Sequence, residues 1–487
     1  MPVFLIALAL VAPQVATVAS AEEPVIAPVS TSHSAIIAGK SVPYEATFAE
    51  NVLRDATGRA QATISYTAYV RADVRDRARR PVIFVFNGGP GASSSPLHFS
   101  GIGPRLSIRG ADGKRSLVDN RTSPIDVADL VFIDPVGTGF SRVLPGGSGL
   151  AYWSVPGDAA AVLGVMRGWL RDNHRLQSPV FIAGESYGGA RAARIAFDAK
   201  DLNVAGIILI SPSLKATHEE NATSDADFVS ALPTMAVAAM QNGKIPRRGV
   251  DALFEEARQF AVGDYATALA KGAALDAASR TTIAARMSSL IGLPTDMILA
   301  ANLRIDGEAF RAALRKPEGL VVGRLDTRVA VAPLGNVPEK RPSAANDPAL
   351  GLGGSNVIKS ELIARYLRSE LQVPSSRDYV SLTLDVNFKW NWSASRTDPG
   401  SASLAGNIAA LMRQKPKMQL LMIVGYYDLA VPLLEPASAL SRAGVPADRF
   451  ETVALEEGHS VFESDAARAR LRPKLEAFLL GPAKRAR

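Results

Sequence analysis

Cysteine is missing from this chain of 487 residues. No disulfide framework, thiol nucleophile, iron–sulfur cluster or thiolate zinc site is therefore open to it. Covalent catalysis has to use Ser, Thr, Lys or a carboxylate. Histidine is scarce: His33, His98, His174, His218 and His459 lie far apart, none at metal-ligand spacing. The pattern implies neither a metal nor a cofactor. A concentrated basic stripe is also lacking. The net charge is +7, yet the densest basic run, 71–80, is diluted by Asp73 and Asp76. The excess reads as a solvated surface, not as a nucleic-acid footprint.

The apolar stretch 3–12 is too short to span a bilayer. Residues 1–21 carry no charged side chain and end Ala19-Ser20-Ala21 before Glu22-Glu23-Pro24, the pattern of a secretory signal cut after Ala21. An uncleaved anchor or a misplaced start is the alternative, because the segment has no Lys or Arg. The cleaved reading puts the chain in a periplasm or outside the cell. N-terminal sequencing of the exported form is expected to begin at Glu22; an intact Met1 overturns that.

What is present is globular composition, 47% hydrophobic and 21% charged. After a short N-terminal extension, 22–43, the stretch 44–70 alternates in polarity around the turn Asp55-Ala56-Thr57-Gly58, as an antiparallel hairpin does. The pattern then changes to short continuous apolar runs at 82–86, 130–133, 180–183, 204–210 and 420–424. Runs apolar on both faces, separated by helical stretches such as 158–171, predict a mostly parallel sheet with helices on both sides. The stretch 211–354 is different: helical and alanine-rich first, then rich in Pro, Gly and Asn. It reads as a helical cap inserted into one α/β catalytic core made of 44–210 and 355–487.

Gly184-Glu185-Ser186-Tyr187-Gly188 follows a predicted strand and precedes a predicted helix. That context makes Gly-x-Ser-x-Gly a nucleophile elbow, with the serine hydroxyl held clear of the backbone at a tight turn. A serine needs a base to take its proton and an acid to fix that base. In the α/β-hydrolase fold these follow in the order Ser, acid, His. His459 sits in a polar turn after the strand-like 450–455, and Asp428 follows the run ending at Val424. Glu456, Glu457, Glu463 and Asp465 are poorer acids because they crowd His459. The loop Asn87-Gly88-Gly89-Pro90-Gly91, at the end of the 82–86 strand, is where backbone amides for an oxyanion hole belong.

These residues resemble the serine carboxypeptidase family. Its Asn-Gly-Gly-Pro-Gly-Cys-Ser-Ser is matched by 87–94 with Ala92 for the cysteine, and its Gly-Glu-Ser-Tyr-(Ala/Gly)-Gly by 184–189. Its Asp-x-Pro-x-Gly-x-Gly-Phe-Ser is similar to Asp134-Pro135-Val136-Gly137-Thr138-Gly139-Phe140-Ser141, and its Gly-His to Gly458-His459. The resemblance implies an α/β-hydrolase core with an insertion over the site, acting on peptide substrates by acyl-enzyme chemistry. It implies Ser186 as nucleophile, His459 as base and Asp428 as its orienter. It further implies the Gly89 and Tyr187 amides as oxyanion donors, with Asn87, Gly88 and Glu185 binding the substrate's terminal carboxylate. A carboxylate facing a carboxylate must share a proton, so the resemblance implies activity favoured at acidic pH. One departure stands out. A second glutamate of the family, in Glu-x-Gly-Pro, aligns with Gly101, which leaves an esterase or acyltransferase on the same triad as the alternative. The segment 387–392, with two tryptophans, either lines the site or packs on the core.

Overall fold

The computed structural model describes residues 23–217, 224–335, 341 and 343–481. The signal-like segment 1–21, His218 and the last six residues lie outside the described residues. Among those described, no helix is long and apolar enough to cross a membrane.

A nine-stranded sheet carries the molecule. In chain order its strands are β1 (Val29–Ile37), β2 (Lys40–Arg54), β3 (Ala60–Arg71), β4 (Val82–Phe86), β5 (Asp129–Asp134), β6 (Val180–Glu185), β7 (Val204–Ile210), β8 (Gln419–Gly425) and β9 (Phe450–Leu455). The spatial order is β1-β2-β3-β5-β4-β6-β7-β8-β9. The first three strands and the β3–β5 pair are antiparallel; from β5 to β9 every pair is parallel. All five apolar runs became inner strands, because only a strand covered on both faces buries consecutive residues. Val82, Ile83, Phe84, Val85 and Phe86 are all fully buried. Helices α1 (Val155–Asp172) and α2 (Tyr187–Asp198) pack over one face, with Trp169 edge-on to Phe84. The C-terminal helix Asp465–Leu480 covers the other, where Phe478 meets Phe181. The fold is an α/β-hydrolase fold.

Two expectations need correction. The segment 22–43 is no extension: Val29–Ile37 is the edge strand, paired with β2 from Val29 opposite Phe48 to Ile37 opposite Lys40. Its sequence is rich in Ser and Thr because an edge strand buries little, here Ala35 and Ile37. The core also does not resume cleanly at 355. Strands Val357–Lys359 and Val380–Thr383 pair with each other, not with the sheet. Bridges from Ala92 to Leu382 and from Gly139 to Val380 tie this hairpin to two loops of the core.

Helices Asp225–Gln241, Val250–Phe260 and Ala277–Ile291 form the cap around their own apolar core, which includes Leu232, Met235, Leu253, Phe254 and Met287. That core extends to Tyr427 and Leu429, the neighbours of Asp428. Packing of the cap therefore fixes the loop that carries the candidate acid. No disulfide is needed for this.

Candidate active site

Ser186 stands between β6 and α2 with φ 60° and ψ −128°. A side chain held at positive φ is strained, by about 1–3 kcal/mol, and the surroundings must enforce it. Here they do so by close approach. A Cβ on Gly184 would lie 2.1 Å from the Gly188 carbonyl oxygen, and one on Gly189 would lie 2.6 Å from Pro212 Cβ. The backbone bonds Ser186 N–Ile210 O (3.0 Å) and Ser213 N–Ser186 O (3.0 Å) hold the turn from the β7 side.

The glycine loop after β4 abuts this elbow. A Cβ at Gly88 would fall 2.4 Å from Tyr187 N, so only glycine lets the two backbones meet. Gly89 has φ 96°, a conformation L side chains resist. Tyr187 opens α2, where the first amides have no acceptor within the helix and the dipole favours negative charge. The loop is clamped from below by Arg191, which donates Nε to Asp158 at 2.6 Å and Nη1 to the Asn87 carbonyl, and lies over the Phe86 and Tyr187 rings. Ser93 N to Ser381 O (3.0 Å) and Thr383 N to Gly91 O (2.9 Å) hold the far side, next to Ala92. Asp134 accepts from Ser94 N (2.8 Å), Ser94 Oγ (2.7 Å) and Tyr379 OH (3.0 Å).

His459 and Asp428 come together as the sequence order required. His459 Nδ1 lies 2.7 Å from Asp428 Oδ2, while Oδ1 accepts from Ala430 N (2.9 Å) and Val431 N (3.0 Å). Burial works against the imidazolium, but Asp428, then Glu185 and Asp347, outweigh it and the ring titrates above its ordinary range. Among the described residues no hydrogen bond joins Ser186 to the ring; both line one cavity of about 490 Å³. Such bonds often tighten only when substrate is bound.

Asn87, Gly88, Gly89, Glu185 and Tyr187 line the same cavity; Asp428 does not line it and reaches the site through His459. Glu185 is buried, and chiefly for that reason its carboxyl is pushed up to about 7; Asp428 adds to the rise, while His459 and a hydrogen bond from Asn87 oppose it. Gly101 does not line the cavity. A Cβ there would rest in ordinary contact with Phe462 and Leu97, at 3.4 and 3.5 Å. From the 387–392 segment Asn387 and Trp392 line the cavity, whereas Trp390 is buried edge-on to Tyr187; both readings of that segment hold in part.

One element left no signal in the sequence. The stretch 324–327 bridges the acid and base loops through main-chain bonds: His459 N to Leu325 O (2.7 Å), Leu429 N to Arg324 O (2.9 Å) and Thr327 N to Tyr427 O (3.0 Å). Arg328 reinforces it, binding Asp326 at 2.7 Å and Glu457 at 2.9 Å. Asp347 takes the amides of Arg324 (3.0 Å) and Leu325 (2.6 Å).

Residues 61–240 match the family model described as serine carboxypeptidase. Among curated proteins, serine carboxypeptidase-like 51 of Arabidopsis thaliana is 31% identical over 140 residues, 26% of this chain and 29% of that protein. The matched part thus spans under a third of that relative's length. Among solved structures, the prohormone-processing carboxypeptidase Kex1(delta)p of Saccharomyces cerevisiae superposes with a TM-score of 0.57 at 14% identity, covering 89% of this chain and 91% of that one. Residues 61–240 are thus similar in sequence to the serine carboxypeptidases, and the superposition shows a shared fold.

Proposed function

We propose that this chain is a serine carboxypeptidase that releases C-terminal residues from peptides. The observation that carries this is His459, paired with Asp428 at 2.7 Å, sharing one cavity with an elbow serine and a buried glutamate. In this reading Ser186 Oγ attacks the scissile carbonyl while His459 Nε2 takes its proton. The oxyanion forms beside the Gly89 and Tyr187 amides. His459 then gives the proton to the leaving amine, and water repeats the sequence on the acyl-enzyme. Asp428 keeps the ring proton on Nδ1, so that Nε2 is free to accept.

Asn87 and Glu185 take the substrate's terminal carboxylate. The missing second glutamate, with Gly101 off the cavity lining, is what favours an esterase or acyltransferase as the second reading. Comparing a blocked dipeptide acid with its C-terminal amide and a simple ester separates them. The acid is expected to be preferred; equal turnover of acid and amide overturns recognition of the terminal carboxylate.

The same substrates give the pH test. Glu185 and His459 titrate as a coupled pair, and the reactive form holds one proton on Glu185 and a neutral His459. Glu185, at about 7, loses its proton as pH rises, and two carboxylates then oppose each other. For the dipeptide acid, kcat/KM is expected to fall on the alkaline side, as pH rises through about 7, and Glu185→Gln to flatten that fall; at the acid end protonation of His459 lowers the rate instead. A flat or rising wild-type profile on the alkaline side counts against this role for Glu185.

The charge-free N-terminal segment and the lack of cysteine support a bacterial-type periplasmic or secreted enzyme, in a compartment where disulfides are open to other proteins but not to this one.

A further inference from the structure

The cavity has an unusual charge inventory for a site that must receive an anion. Among the described residues three carboxylates besides the candidate triad line it, Glu185, Asp347 and Glu435. Asp347 is occupied with the backbone amides of Arg324, Leu325 and Ala349, at 3.0, 2.6 and 3.1 Å. Glu435 lies 3.5 Å from Lys215 Nζ, which also binds Asp227 at 2.9 Å. Among the described residues two cationic chains, Lys215 and Arg324, line the cavity. Lys215 is thus already neutralised. The guanidinium of Arg324 makes no hydrogen bond or ion pair among the described residues, although nearly every other arginine around the site is paired, Arg191 and Arg328 included.

Arg324 is also well placed and firmly held. Its amide is fixed by Asp347, its carbonyl accepts from Leu429 N at 2.9 Å, and the next carbonyl, Leu325 O, accepts from His459 N at 2.7 Å. The residue is therefore one position from the backbone that carries the candidate base, and it is half-buried. A guanidinium drawn partly out of water without a counter-charge is costly, and its planar fork of donors matches a carboxylate in two-point contact.

We propose that Arg324 is a specificity-determining residue of this cleft, binding a carboxylate of the substrate where the second glutamate of the resembled family is absent. The proposal rests on the peptidase reading above and names the occupant: an acylated peptide carrying either its terminal carboxylate or an acidic side chain against Arg324. Recognition by Arg324 needs no shared proton, because the guanidinium stays charged throughout the working pH range.

The test uses the full-length protein hydrolysing a simple neutral ester, with N-acyl amino acids as competitive inhibitors. In wild type an N-acyl amino acid is expected to inhibit more tightly than its amide. Arg324→Gln is expected to cut that acid-to-amide ratio by about 10-fold or more, the scale of a charge-assisted hydrogen bond, and Arg324→Lys to leave an intermediate ratio. A matched pair with Glu or Gln as the acylated residue of a C-terminal amide separates the two sources. If only that pair loses discrimination, Arg324 reads an acidic side chain; if only the acid and amide pair does, it reads the terminus. Ratios that stay unchanged in both pairs overturn the proposal. Should Arg324→Gln fail to fold, Arg324→Lys decides alone, unchanged ratios in both pairs being the negative. Failure of the peptidase reading looks different: wild type turns over the ester but no dipeptide acid, while the inhibition ratios remain measurable.

Discussion

Ser186→Ala is expected to lower kcat for a blocked dipeptide by about 10⁴- to 10⁶-fold and to abolish labelling by a fluorophosphonate probe. The size follows from the chemistry. Without Oγ no acyl-enzyme forms, and what remains is the pull of the oxyanion donors on a water-driven reaction. The fold tolerates the change, because the φ of 60° is imposed by the backbone contacts at Gly184, Gly188 and Gly189 and by the Ile210 and Ser213 bonds. Alanine has no more trouble there than serine. An unchanged melting temperature alongside lost turnover separates chemistry from folding. Residual activity within tenfold of wild type, or persistent labelling, sinks Ser186 as the nucleophile. Labelling also discriminates against the remaining class of function, a silent binding protein built on this scaffold.

Asp428→Asn carries the second largest effect, about 10⁴-fold in kcat. Asp428 Oδ1 is pinned by the amides of Ala430 and Val431, so an asparagine keeps its carbonyl oxygen there and turns its NH₂ toward His459 Nδ1. That NH₂ cannot accept a proton, and the ring proton moves to Nε2, the atom that has to receive the proton of Ser186. Geometry survives while the tautomer is wrong. Turnover of the blocked dipeptide and the rate of fluorophosphonate labelling should fall together. A loss below tenfold would pass the role to another carboxylate. Of the acids nearest His459 in sequence, Glu457 is committed to Arg328 and to Ser464, Asp465 to Arg468, and Glu456 and Glu463 are exposed.

Much of the site was legible from sequence because its parts are local. An elbow is a strand, a turn and a helix within a dozen residues, and glycines at 184, 188 and 189 are demanded by contacts that leave no room for a Cβ. The loop 87–91 reads the same way. The parallel core was legible because strands covered on both faces must be apolar at every position. The edge strand Val29–Ile37 was not, since a strand paired on one side keeps a mostly polar sequence. The hairpin at 357–383 was likewise assigned to the core, because strand sequence alone does not say which partner it pairs with.

The sequence by itself determined the candidate chemistry of this protein: with no cysteine, a serine on an elbow, one histidine late in the chain and Asp428 just after an apolar run, the candidate nucleophile, base and orienter are specified by residue type and order. Only the tertiary structure decided what surrounds them. It brought the cap's apolar core against Tyr427 and Leu429, laid 324–327 between the acid and base loops, kept position 101 off the cavity lining and left Arg324 lining it without a counter-charge among the described residues. The physical reason is that these placements are made by main-chain hydrogen bonds and by non-directional packing. Both act between segments far apart in the chain, and neither requires a recognisable side chain at the point of contact.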